Sequence, residues 1–139
     1  MVKRLLLLLV LAVGAQYGWQ ELGGARPGSA DAVLIEAWEQ RRSDVQVRGT
    51  GVVERILADD RDGSRHQRFV LRLASGQTIL VAHNIDLAPR IDALREGDAV
   101  EFHGEYEWNA RGGVVHWTHH DPAGRHVDGW LKHRGRTYE

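Results

Sequence analysis

Apolar positions along this chain follow three successive rhythms, and each predicts a different element. Residues 5–13 form an unbroken apolar run behind Lys3 and Arg4. Leu34, Ala37 and Trp38 then recur at helical spacing, which predicts a helix over 30–42 with Ser29 as its cap and Asp31 in its first turn. Past Asp44 the period drops to two, as half-buried strands require. Strands are predicted over 46–57, 66–74, 77–84, 100–108 and 114–120. The fourth shows the cleanest alternation: Val100, Phe102, Tyr106 and Trp108 share one face, and Glu101, His103, Glu105 and Glu107 share the other. Gly49 and Gly51 permit sharp coiling of the first strand, and Ser75-Gly76 supplies a tight hairpin.

Between the third and fourth strands a short helix is predicted over 87–94, with Pro89 near its first turn. Three strands, a helix and two strands is the element order of an oligonucleotide/oligosaccharide-binding (OB) barrel. The predicted fold class is therefore mainly β: a five-stranded OB-like barrel (β-β-β-α-β-β) preceded by a helix and a signal or anchor segment. An open antiparallel sandwich is the alternative. The organisation expected is a signal peptide or anchor at 1–15, a glycine-rich linker at 16–29, a packing helix at 30–44, and the barrel with a C-terminal extension at 45–139.

A positive flank, a short apolar core and the small residues Gly14 and Ala15 are the parts of a secretory signal. The run is shorter than the roughly 20 residues that span a bilayer. The domain is thus expected outside the cytoplasm, periplasmic or secreted, touching membrane only through an uncleaved N-terminus. Removing 1–15 takes Lys3 and Arg4 away and moves the formal net charge from −1 to −3. A slightly acidic domain lacks the basic footprint of a nonspecific nucleic-acid binder. The absence of cysteine excludes disulfides, thiolate zinc sites and thiol nucleophiles.

Barrel closure decides where the chemistry gathers. The end of strand one, the start of strand two and the ends of strands three and five would share one rim. That rim would collect Asp59, Asp60, Asp62, His66, His83, Asp86, His119, His120 and Asp121 from distant parts of the sequence. Imidazoles and carboxylates suit a divalent metal ion, with His66, His83, His119, His120, Asp86 and Asp121 as candidate ligands. Alternatively these histidines hydrogen-bond the rim shut. On a strand, His116 and His120 would face one side and His119 and Asp121 the other, so one strand cannot supply them all. Trp108, Trp117 and Trp130 are either stacking platforms or packing residues; strand parity puts Trp108 and Trp117 in the core.

Several blocks carry a resemblance. They are Asp59-Asp60, Gly63-Ser64-Arg65-His66-Gln67-Arg68-Phe69, His83-Asn84-Ile85-Asp86-Leu87-Ala88-Pro89, the run from Gly112 to Pro122, and Gly129-Trp130. Through them, the stretch 51–138 resembles an uncharacterised bacterial family of short exported proteins, domain of unknown function 3465. That resemblance implies no activity. A narrower similarity is to thermonuclease-like proteins, which are exported OB barrels. Asp59 or Asp60, and Asp86 ahead of Pro89, resemble that family's calcium ligands, and Arg111 resembles its phosphate-clamping arginine. Arg90, however, stands where the family places its catalytic glutamate, and two residues rather than one separate Asp86 from Pro89. Water activation would then fall to His66 or His119.

The function these readings favour is an exported, monomeric binding module. Asp59, Asp60, His66, His83, Asp86, Arg111, His119 and Asp121 would hold an anion, a saccharide or a nucleic acid at the rim or on a strand face, with or without a metal. A metal-dependent phosphodiesterase with His66 or His119 as catalytic base is the alternative, and a structural partner of an envelope protein is a third.

Overall fold

Strand β1 (Val45–Ile56) is long enough to serve two neighbours, and this closes the barrel. Its first part, Val45 to Val52, pairs antiparallel with β4 (Ala99–Glu107), and its second, Gly51 to Ile56, pairs with β2 (His66–Leu73). The strand must coil sharply to change partners, and a register shift between Val53 and Arg55 adds to the bend. At Gly49 a side chain would meet the Phe102 ring at 2.8 Å, so the backbone passes where only glycine fits. β2 continues antiparallel to β3 (Thr78–Asn84), which runs parallel to β5 (Val114–His116), and β5 returns antiparallel to β4. The circuit β1-β2-β3-β5-β4-β1 is a closed five-stranded barrel. The computed structural model describes residues 30–139; the signal segment, the linker and the Ser29 cap expected from the sequence lie outside the described residues.

Alternation along the strands fills the interior. Phe69, Leu71, Ile79, Val81, Val100, Phe102, Tyr106 and Val115 are at most 1% exposed. Each large apolar side chain so buried contributes about 1.5–3 kcal/mol. Helix α1 (Ala30–Glu39) adds Leu34 and Ala37 to this core. It stops before the predicted Arg42 because Arg41 turns left-handed (φ 53°). The amides of Arg41 and Arg42 then bond Trp38 and Ala37 carbonyls, forming a Schellman cap. Two indole N–H groups tie the helix down: Trp108 donates to the Trp38 carbonyl at 3.0 Å and Trp38 to the Asn109 carbonyl at 3.3 Å.

Three elements depart from expectation. The segment 87–94 is a chain of turns, not a helix. A helix would keep its backbone groups for itself; here strand side chains take them. Gln67 donates to the Ile91 carbonyl and accepts from the Ile91 amide, both at 2.9 Å, and His83 donates to the Pro89 carbonyl at 3.0 Å. Proline also disfavours helical backbone in the residue before it. The segment instead stoppers the barrel with Ile91, which is 0% exposed.

The fifth strand ends at His116 rather than His120, because Trp117 adopts φ 54° and breaks the alternation. Trp117 therefore leaves the core that its parity assigned it. The tail, finally, is ordered into two further strands, β6 (Trp130–His133) and β7 (Arg136–Tyr138). β6 pairs with Glu101 to His103 of β4, on the edge where β5 pairs further along. Residues 117–129 thus form a loop that leaves the barrel wall and rejoins it.

Candidate functional site

The mouth beneath the stopper is polar inside. Gln67 and His83 point inward from β2 and β3 at 1% and 0% exposure, beside the fully buried Thr118. His83 Nε2–H donates to Pro89, so its Nδ1 must accept, and it does so from the Thr118 hydroxyl at 2.7 Å. Burial pushes the imidazole down to about 4, with His119 and His66 adding repulsion. A neutral His83 with both nitrogens engaged is a structural strut.

The remaining rim residues divide by partner. Asp59 receives a two-pronged bond from Arg90 at 2.9 and 3.1 Å, which holds its carboxyl below the usual range. Arg90 therefore neutralises the acid beside it. Asp86 is held by Arg65, through the backbone amide at 3.0 Å and the guanidinium at 2.7 Å. Asp60 bridges His66 through the backbone and accepts the Asp62 amide on its side chain. His66 Nδ1 donates to the Ser64 carbonyl at 2.8 Å. His119 is 4% exposed and donates to the His120 carbonyl at 2.6 Å. His120 lies between Asp128 and Glu139, and Asp128 above all raises its pKa.

Asp121 organises the 117–129 loop. Its carboxylate accepts the amides of Ala123, Arg125 and His126 at 2.8–2.9 Å. Asp121→Ala is expected to free these three amides, raising their hydrogen-exchange rates while Leu71 and Val81 stay protected. Unchanged protection at all three would show that another group holds the loop.

The structure thus sets His66 and His119 each within electrostatic reach of His83 and commits Asp59, Asp86 and Asp121 to other partners. The indoles are also engaged. His126 stacks on Trp117 with ring centres 3.9 Å apart, Arg41 covers Trp108, and Arg48 and Lys132 flank Trp130.

Arg111 sits elsewhere, in the loop joining β4 to β5. With Asn109 and Gly113 it borders a groove of about 510 Å³ on the outer wall of β1, β2 and β3. Leu57, Val70 and Leu80 give the groove an apolar floor, and β1 lines it with Arg55 and with Glu54, whose carboxylate is paired with Arg72. On the other flank of the loop, Arg111 also borders a second depression with Trp38, Gln77 and Thr78. Neither the Arg55 nor the Arg111 guanidinium has a hydrogen-bond or ion-pair partner among the described residues. The sequence reading did not single out Arg55, since its outward direction depends on the register shift beside it.

A second group was also missed. Glu105, Glu107 and His116 offer ligand atoms that all lie within 4.8 Å of one another, the one such trio of metal-ligand side chains among the described residues. The signal was present in part: the glutamates share the outer face of strand four and His116 faces outward from strand five. Only the β4–β5 register, which sets Glu105 opposite His116, joins them.

A small closed β-barrel with a stoppered polar mouth and chemistry displayed on its outer wall is the class of protein these features define. The chain belongs to the family described as protein of unknown function (DUF3465), whose model matches residues 14–139. No curated protein matches the sequence.

Proposed function

We propose that this protein is an exported binding module of the OB type that holds an anionic ligand in the groove across β1, β2 and β3. The observation that carries this reading is the pair Arg55 and Arg111, guanidinium groups without a partner among the described residues that line one groove with an apolar floor. In OB barrels the face of strands two and three, with the loop between strands four and five, is where oligonucleotides and oligosaccharides bind. The circuit and the position of Arg111 fit that pattern. Guanidinium groups recognise phosphate, sulfate or carboxylate through paired, charge-assisted bonds. Among the described residues no aromatic ring lines this groove, so anion contacts rather than base stacking would dominate. A phosphodiesterase at the mouth is less well supported, because Asp59 and Asp86 are each held by an arginine.

The test is calorimetric titration with a short uronic-acid oligosaccharide and with a short single-stranded oligonucleotide. At least one probe is expected to bind, with affinity falling as salt rises. Charge-assisted bonds of about 1.5–3 kcal/mol make the expected loss roughly 10- to 100-fold for Arg55→Ala or Arg111→Ala. Binding that survives the double substitution would overturn the assignment, as would no binding of either probe.

A further inference from the structure

We propose that Glu105, Glu107 and His116 form a binding site for one divalent zinc-type ion on the outer wall of β4 and β5, independent of the anion groove. His116 and Glu105 are directly opposed in the antiparallel pair, and Glu107 lies two residues along the same face. The His116 Nε2 atom lies 3.3 Å from a Glu105 oxygen and 3.2 Å from a Glu107 oxygen. That nitrogen is shut off from solvent, yet neither carboxylate meets it with hydrogen-bond geometry. A buried ring nitrogen with two carboxylates close by, and a bond to neither, requires an explanation.

Tetrahedral coordination supplies one. Zinc–nitrogen and zinc–oxygen bonds of about 2.0–2.1 Å put neighbouring ligand atoms about 3.3–3.4 Å apart. The same geometry sets each oxygen roughly 35–40° off the axis of the nitrogen lone pair, too far aside for a straight hydrogen bond. The observed spacings match those edges, and the failed hydrogen bonds follow from them. One imidazole and two carboxylates are a donor set that zinc accepts, and they leave a fourth position for water, as in open rather than closed zinc sites.

Glu105 is also supported from behind. Its second oxygen lies 3.3 Å from His126 Nε2, and His126 is fixed by the Val127 carbonyl at 2.8 Å and by stacking on Trp117. Such outer partners orient a metal-binding carboxylate. They also link the ion to the 117–129 loop, which carries His126.

The test uses the untagged full chain, stripped with a chelator and titrated with zinc, with cobalt as a spectroscopic substitute. One equivalent of zinc is expected to bind at micromolar concentration, and cobalt is expected to give the intense visible absorption of a tetrahedral site. His116→Ala should weaken zinc binding at least about 100-fold and His126→Gln about 10-fold. Glu107 is well exposed, so Glu107→Gln tests the site without risk to the fold and should match His116→Ala. His66→Ala, at the barrel mouth and away from β4 and β5, should leave zinc binding unchanged. Zinc binding that persists in both His116→Ala and Glu107→Gln would overturn the proposal. So would binding lost only in His66→Ala, or no binding at micromolar zinc.

Discussion

Gly113→Ala is expected to destabilise the protein by about 4 kcal/mol or more, enough to unfold many domains of this size. Gly113 holds φ 98°, which L-residues rarely adopt. A Cβ there would also overlap the ring and hydroxyl of Tyr106. Tyr106 cannot step aside: it is 0% exposed and its hydroxyl donates to the Gly112 carbonyl at 2.9 Å. Backbone strain of about 1–3 kcal/mol and overpacking of similar size therefore add. The Gly113 carbonyl also accepts the Leu80 amide at 3.0 Å, where the parallel β3–β5 pairing begins, so movement here opens the barrel seam. Gly76→Ala is the control. Gly76 has a similar φ of 88° but nothing within 4 Å of its would-be Cβ, so strain alone should cost about 1–2 kcal/mol. Urea unfolding of both variants separates the contributions, and equal losses would show that Tyr106 is free to move.

Acid is expected to weaken the fold through His83 well before the carboxylates are protonated. In the unfolded chain this imidazole takes a proton near its ordinary 6.5, whereas burial holds the folded value at about 4. Above pH 6.5 both states are neutral there, and the full stability is present. As pH falls from 6.5 towards 4 the unfolded chain gains a proton that the folded one refuses, so stability declines. The integrated loss is on the order of 3 kcal/mol. His120 works in the opposite sense, since its raised pKa stabilises the fold at low pH and loses effect as pH rises. Asp59, Asp86 and Asp98, the last bonded to His133 at 2.7 Å, have lowered values, so their contribution is lost as pH falls from the ordinary carboxylate value through the lowered ones. The measurement is unfolding free energy at pH 7 and pH 4.5 for the protein and for His83→Gln. The drop between the two pH values should shrink markedly in the variant. An equal drop in both would place the acid-sensitive group elsewhere.

Much of the barrel was legible because an alternating strand needs no partner to declare which face is buried. Val100, Phe102 and Tyr106 announced the core face of β4, and Phe69 and Leu71 that of β2, and all five are 0% exposed. The mouth was harder to read. His83 stands on the core parity of β3 with Ile79 and Val81, yet it drew attention as a ligand because it is a histidine. What makes it a strut is the Pro89 carbonyl and the Thr118 hydroxyl, the second 35 residues away. The 87–94 stretch misled for a related reason. Its local pattern is compatible with a helix, and only Gln67 and His83, arriving from other strands, claim the backbone groups a helix would use.

The order and faces of the first four strands, the glycines that let the first one coil, and the outward glutamates of the fourth follow from the sequence alone, since side-chain parity and turn chemistry act over a few residues. Which charged groups meet was decided by tertiary structure. The register of β4 against β5 put His116 opposite Glu105, the left-handed turn at Trp117 cut the fifth strand short, and the 117–129 loop laid His126 against Glu105. Hydrogen-bond and ion-pair partners depend on contacts a few ångströms long between residues far apart in the chain, and only the closed barrel sets those distances.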